Sequence, residues 1–78
     1  MRVWKDVNLR DFNFWSGGAD RAKLLTAEEL DKIEEYLEVE YPEGIKETEL
    51  NDLFWFDFKL ICELIGETEE SVFKREQI

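Results

Sequence analysis

Four carboxylates spaced like successive turns of an α-helix are the residues of this chain best placed to do chemistry. They are Glu28, Asp31, Glu35 and Glu38. Steps of three and four bring such side chains to one flank of a helix. Residues 28–40 contain seven acids and one lysine, so a helix there would carry about one net negative charge per 3 Å of its length. A single DNA strand carries about one per 3.4 Å. The pattern predicts a phosphate-like stripe, and the alternative is an ordinary solvated helix face.

Enzymatic chemistry has little support in the composition. The chain has no histidine, so a general base would have to be a carboxylate or a lysine. The single cysteine, Cys62, lies in an apolar helical pattern without a histidine to activate it, and we interpret it as a packing residue. Asp52 and Asp57 could bind a divalent cation, but no calcium-binding or phosphate-binding loop accompanies them. We expect no enzyme activity, no metal and no cofactor.

Charge is distributed unevenly along the 78 residues. Residues 1–25 hold five bases and three acids, whereas residues 26–78 hold five bases and seventeen acids. An acidic surface repels nucleic acid and anionic membranes and attracts basic proteins. We therefore expect a basic protein partner and no direct nucleic-acid binding. We also expect the basic N-terminal part to pair with the acidic helix.

The sequence shows neither a targeting segment nor a membrane span. No long apolar run follows the first residues, as a signal peptide would require. No apolar stretch approaches the roughly 20 residues of a transmembrane helix. A lone cysteine is typical of a reducing compartment. We expect a cytoplasmic protein.

The composition favours one mostly α-helical domain. Three Trp, six Phe and two Tyr supply apolar area that opposes the tendency of acidic chains to remain disordered. The periodicity predicts three to four helices, with an extended N-terminal arm and a C-terminal hairpin like a helix-turn-helix. The predicted segments are an arm at residues 1–15 (with a short strand at 2–7 as one interpretation), a short helix at 19–25, an acidic helix at 27–40, an aromatic-rich helical segment at 49–65 and a last helix at 68–76.

Capping residues predict where these helices begin and end. Thr26 and Glu29 have the spacing of a capping box, in which each side chain binds the other residue's backbone amide. Glycine and proline stop helices because they favour backbone conformations outside the helical region. The expected N-caps are Thr26, Thr48 and Thr68, and the expected stops are Pro42, Gly44 and Gly66.

The aromatic-rich segment contains more apolar residues than one helix face can bury. Residues 53–58 read LFWFDF, with five apolar positions in six. An amphipathic helix buries only one stripe. The segment is therefore either the central core element or partly an exposed binding surface. We expect exposed aromatic area near Trp55 to contribute to partner binding.

Residues 58–75 have the residue spacing of a helix-turn-helix motif. Cys62 lies four residues before Gly66, where the two helices of such motifs approach closely. Arg75 occupies a position that is usually apolar. The second helix would begin with Glu69 and Glu70, which would repel phosphates. A helical hairpin, either structural or in contact with protein, is favoured over a DNA-binding element.

Four sequence blocks resemble a small acidic open reading frame found in phages and mobile elements of Gram-positive bacteria. These blocks are FNFWSGGA at residues 12–19, LTAEELD at 25–31, YPEG at 41–44 and TELNDLFWF at 48–56. The resemblance covers roughly residues 12–66. That group has no assigned activity, so the resemblance implies only a setting, the cytoplasm of a bacterial host. Anti-CRISPR proteins are similar in size, charge and setting, which is an analogy and does not establish function.

These observations together favour inhibition of a basic nucleic-acid-binding host protein, such as a CRISPR nuclease, by stoichiometric binding. The stripe Glu28, Asp31, Glu35 and Glu38 would mimic phosphates, and Trp55 would add apolar contact area. One alternative is a degenerate helix-turn-helix regulator or adaptor. Another is a structural accessory protein that forms a homo-oligomer through residues 53–58.

Overall fold

The computed structural model describes residues 8–77 and shows a mostly α-helical domain, as the periodicity predicts. Within that range there are five α-helices, one or two more than expected. They are α1 (Ser16–Ala22), α2 (Ala27–Glu40), α3 (Glu47–Phe56), α4 (Phe58–Leu64) and α5 (Glu69–Phe73), with 3-10 turns at Leu9–Asp11 and Lys74–Gln77.

The acidic helix α2 coincides with the segment predicted over 27–40. The Thr26 hydroxyl accepts a hydrogen bond from the Glu29 amide at 3.1 Å, and Glu29 accepts one from the Thr26 amide at 3.0 Å. The capping box is therefore complete. At the other end, the Gly44 amide donates to the Tyr41 carbonyl at 2.9 Å, and Gly44 adopts a φ of 108°. Local signals determine both ends of this helix.

The helix expected at 19–25 begins three residues earlier, at Ser16, and ends at Ala22. It therefore includes Gly17 and Gly18, which are poor helix formers. Their lack of side chains is required, because a Cβ at Gly17 would overlap the Trp55 indole and one at Gly18 would overlap the Asn51 amide. Close packing of α1 against α3 thus outweighs local propensity. The strand considered at residues 2–7 lies outside the described residues.

The segment expected at 49–65 is divided into two helices. The first begins at Glu47, with Lys46 rather than Thr48 at the N-cap position. Asp57 interrupts the helical path with φ −118° and ψ 33°. Its amide donates to the Leu53 carbonyl at 3.1 Å, and its carbonyl accepts from the Leu60 amide at 3.0 Å. The break lets Phe54 in α3 and Phe58 in α4 both enter the core.

The last two helices form the expected hairpin. Gly66 has a φ of 76°, and the amides of Gly66 and Glu67 bind the carbonyls of Glu63 and Cys62 at 3.1 and 2.9 Å. This is the Schellman arrangement that ends a helix at a glycine. Thr68 then caps α5 through a reciprocal pair of hydrogen bonds with Ser71, each 3.1 Å long. The regular α5 is shorter than the segment expected at 68–76.

The core lies where α1, α2, α3 and α4 meet. It is almost entirely apolar, and its one buried polar side chain among the described residues is Asn51. The buried members are Leu9, Ala22, Leu25, Ile33, Leu37, Ile45, Leu50, Phe54, Phe58, Ile61, Cys62 and Val72. Ile33 and Leu37 fix the inward face of α2, so the opposite face of this helix points to solvent.

Candidate protein-binding surface

The four carboxylates expected to form a stripe lie on the side of α2 that faces away from the core. Glu28, Glu35 and Glu38 are exposed, and Asp31 is half-buried. No salt bridge within residues 8–77 involves those three glutamates. The structure therefore brings the expected residues together on one face, with three of them available to solvent. We call Glu28, Asp31, Glu35 and Glu38 the α2 stripe.

Asp31 is the member of the α2 stripe that already has a partner. Arg10 binds it through Nε and Nη2, and the two side chains form a salt bridge in which each is about half exposed (49% and 47%). The hydrogen bond to Asp31 raises the pKa of Arg10. The pairing expected between the basic N-terminal part and the acidic helix is thus present at Arg10. It places a positive charge beside the stripe.

Two further carboxylates of α2 hold the fold together. The Leu9 amide donates to Glu34 at 2.9 Å, which fixes the turn before α1 against α2. Arg75 binds Glu29 at 2.7 and 2.9 Å from the C-terminal end of the chain. Sequence reasoning found Arg75 at a usually apolar position but did not predict its contact with Glu29. The acids of α2 therefore divide into a structural set and a solvent-facing set.

The exposed aromatic ring of α3 is Phe56, which is adjacent to Trp55. Exposed aromatic area is thus present near Trp55, and its role in partner binding stays a prediction. Trp55 is half-buried, because its indole lies on Gly17 of α1. Phe56 stacks on Trp55 with ring centroids 4.6 Å apart and planes inclined by 14°, and 71% of the residue is exposed. Trp55 therefore supports the ring that reaches solvent. We call Trp55 and Phe56 the aromatic platform.

Tyr41, the residue after α2, is influenced by carboxylates from α2, from α3 and from the α3–α4 junction. Burial raises the pKa of Tyr41, and the negative charges of Glu49, Glu40 and Asp57 raise it further. A phenol resists ionisation more strongly when anions lie nearby. Negative charge from α3 and from the α3–α4 junction therefore acts at the residue that follows α2.

A shallow groove adjoins the other end of the α2 stripe. Its volume is about 490 Å³, and Glu28 and Lys32 of α2 line it together with Ile65 of the α4–α5 turn. Glu29 also lines the groove, but its carboxylate is held by Arg75. The groove gives a partner side chain room beside Glu28, and Ile65 is the one apolar residue of its lining.

The remaining chemistry of residues 8–77 is sparse. Burial raises the pKa of the Cys62 thiol to about 11, so this cysteine is protonated at neutral pH. No three His, Cys, Asp or Glu side chains of that range gather closely enough to hold a metal ion. In the same part of the chain, no helix is both long and apolar enough to cross a bilayer. Searches against family models, curated proteins and solved structures found no match to this chain.

Proposed function

We propose that this chain is a host-directed inhibitor of the kind carried by phages and mobile elements of Gram-positive bacteria. It would act in the bacterial cytoplasm by binding a basic nucleic-acid-binding protein, such as a CRISPR nuclease, in place of nucleic acid. The observation that carries the proposal is the solvent-facing side of α2, where Glu28, Glu35 and Glu38 are exposed and unpaired within the described residues.

The geometry of the α2 stripe supports contact with a phosphate-binding groove. At the standard helical rise, Glu28 and Glu38 lie about 15 Å apart along the axis, with Asp31 and Glu35 between them. A nucleic-acid strand spreads four to five phosphates over about the same distance. The lysines and arginines of such a groove could therefore meet carboxylates in place of phosphates. Release of bound counterions would make this binding weaken as salt increases.

The position of α2 in the fold is fixed mainly by residues outside the stripe. The inward face is fixed by Ile33 and Leu37, and the N-terminus is fixed by the capping box of Thr26 and Glu29. The exposed carboxylates are consequently available for intermolecular contacts without loss of the fold. A rigid helix also avoids the ordering entropy that a flexible acidic tail would lose on binding.

The test is competition for a basic partner. Affinity capture from a Gram-positive lysate at low and high salt would supply the candidate, which is then purified and loaded with a labelled duplex. The native chain should displace the duplex. The variant E28K/E35K/E38K should lose displacement by at least about a hundredfold, because three attractive contacts become repulsive. Unchanged displacement by that variant would refute the proposal.

The control for this test has the same net charge. E43K/E63K/E70K changes three exposed glutamates outside α2, and both triple variants move the net charge from −10 to −4, since each substitution adds two. The control should retain most of the native displacement. Equal loss in both variants would show that overall charge, and not the α2 stripe, is responsible.

A further inference from the structure

The aromatic platform exposes one face of the Phe56 ring, and the Trp55 indole supports the other face. The support begins at Gly17, whose missing side chain lets the Trp55 indole lie directly on α1. Phe56 stacks on that indole at 4.6 Å and 14°. Because Trp55 covers one face of the phenyl ring, the other face accounts for much of the 71% exposure of Phe56. An exposed ring held in a fixed orientation can act as a binding surface.

Exposed carboxylates share the outer side of α3 with Phe56. Asp52 is four residues before it and Glu49 is seven, so both share the outer side of α3 with Phe56. Both are exposed, as is Asp57 directly after the helix. Two of these carboxylates, Glu49 and Asp57, also help to raise the pKa of Tyr41 after burial, its largest cause. The open ring is therefore on a side of α3 whose exposed charged residues, Glu49 and Asp52, are both acidic.

The charge and size of this surface exclude a second copy of the chain as the natural occupant. Self-association through Phe56 would bring the same three carboxylates of each copy together and would be repulsive. A single phenyl ring is also small compared with the roughly 800 Å² that each partner buries in a standard interface. The surface suits one inserted cationic side chain.

Arginine fits the combination of ring and carboxylates better than lysine. Its planar guanidinium stacks on an aromatic face while its N–H groups bind carboxylates as a fork. Lysine has a compact, strongly hydrated charge that gains less from stacking. Arg21 shows a related arrangement within this chain, with its guanidinium carbon 5.9 Å and 5.2 Å from the ring centroids of Phe58 and Phe73.

We propose that the outer face of α3, formed by Phe56 with Glu49, Asp52 and Asp57, is a second docking surface that binds an arginine side chain of a basic partner segment. The guanidinium stacks on the open face of Phe56 and pairs with one of these carboxylates. This surface is separate from the α2 stripe and does not require the stripe to bind the same partner.

The probe is a short arginine-rich peptide, with a lysine-rich peptide of the same length and charge for comparison. Binding is followed by NMR, through the indole N–H signals of the three tryptophans. The arginine peptide should bind more tightly and should shift the Trp55 signal most. Phe56→Ala and Phe56→Leu should each weaken it by about 3- to 30-fold, since both remove the cation–π contact. Both changes should weaken binding of the lysine peptide much less.

Val39→Ala is the matched control, because Val39 is 76% exposed on α2 and is not aromatic. It should leave both affinities unchanged. Three results would overturn the proposal: equal binding of both peptides, wild-type affinity in Phe56→Ala, or Phe56-dependent dimerisation in sedimentation. In the E28K/E35K/E38K background both peptides should bind less tightly, but the effect of Phe56→Ala should persist. Its disappearance there would refute a separate surface, whatever the outcome of the duplex competition.

Discussion

Arg75 joins the C-terminal end of the chain to the start of α2 through Glu29. Its guanidinium donates to both carboxylate oxygens at 2.7 and 2.9 Å and to the Leu24 carbonyl at 2.9 Å. The same Glu29 carboxylate accepts from the Thr26 amide. Only 30% of the Arg75 side chain and 18% of the Glu29 side chain are exposed, so solvent screens the pair incompletely. One carboxylate therefore completes the helix cap and anchors the far end of the chain.

Removal of this anchor should destabilise the whole domain. Arg75→Ala leaves Glu29 and the Leu24 carbonyl without their donor, and we expect it to lower the free energy of unfolding by about 1–3 kcal/mol. Urea denaturation measures the change. Lys74→Ala is the control, because within residues 8–77 the only salt bridge of Lys74 is an exposed one with Glu70 at 3.7 Å. Such pairs contribute about 0–1 kcal/mol. Equal effects of the two substitutions would contradict the anchoring role.

The contribution of Glu29 should depend on pH. The hydrogen bond from Arg75 lowers the pKa of Glu29 below its usual 4.5. A carboxyl whose pKa is lower in the folded state stabilises the protein above its unfolded pKa, and this stabilisation is lost as pH falls through the folded value. The stability difference between wild type and Arg75→Ala should therefore be full at pH 6 and should shrink below about pH 4.5. A difference independent of pH from 6 to 3 would contradict this linkage.

Helix α2 could be predicted from the sequence because its determinants are local. The capping pair Thr26 and Glu29 and the stop at Gly44 act within a few residues of the helix they bound. Helix α1 could not be predicted at its true start. Gly17 is helical because Trp55, 38 positions later in the sequence, packs where a side chain would otherwise be. Long-range packing of that kind leaves no local signal.

The candidate surface, like the fold, could be predicted only where local sequence signals determine it. Periodicity alone placed the α2 stripe on one flank, and the structure agrees. Periodicity could not show that Asp31 is paired with Arg10, nor that the exposed ring of α3 is Phe56 rather than Trp55. Both depend on which elements lie beside each helix. The 3-10 turn at Leu9–Asp11 lies against α2 and brings Arg10 to Asp31, and the α1–α3 contact covers Trp55.

The glycines at positions 18 and 66 should respond differently to the same substitution. Gly18 has no room for a Cβ, because the Asn51 amide occupies that space, whereas Gly66 has open space but a φ of 76°. Gly18→Ala and Gly66→Ala should both destabilise, the first by overpacking of about 1–3 kcal/mol. Asparagine tolerates the left-handed conformation, so Gly66→Asn should recover stability relative to Gly66→Ala. Gly18→Asn should be worse than Gly18→Ala. The reverse order in denaturation experiments would contradict this interpretation.

Cys62 should be chemically inert in the folded protein. It is completely buried, and burial raises its pKa to about 11. Thiolate is the reactive form of cysteine, so alkylation by iodoacetamide at pH 8 should be very slow and should become fast in denaturing urea. Under the same native conditions a small free thiol should react readily. Fast labelling of the native chain would show that Cys62 is accessible and would contradict its packing role.

The helix-turn-helix alternative predicts DNA binding. The charges on α5 are a reason not to expect it. The first turn of α5 carries Glu69 and Glu70, both exposed, and these would face phosphates in a recognition helix. No duplex binding should be detected in a gel shift at low salt, where electrostatic attraction is strongest. A shift that is lost in a Lys74→Ala variant would favour the regulator over the inhibitor.

Neutralising one carboxylate of the α2 stripe should stabilise the folded protein, provided that it lies near the C-terminus of the helix. Glu38 lies near the C-terminus of α2, where the helix dipole disfavours negative charge, and four residues after Glu34. Glu38→Gln should therefore raise the free energy of unfolding by about 0.3–1 kcal/mol at low salt. Glu28 lies in the first turn, where the dipole favours an acid, so Glu28→Gln should give no gain.

Urea denaturation of Glu38→Gln and Glu28→Gln at low salt and in 1 M NaCl tests this prediction. In 1 M NaCl the Debye length is about 3 Å, so the helix-dipole effect and the repulsion between Glu34 and Glu38 should largely disappear. A gain for Glu28→Gln equal to that for Glu38→Gln would contradict the dipole argument. If Glu38→Gln stabilises the fold while weakening displacement of the duplex, the carboxylate is unfavourable for folding and favourable for binding. That combination distinguishes a carboxylate that binds the partner from one that is merely exposed to solvent. Removal of a merely exposed carboxylate would leave displacement of the duplex unchanged.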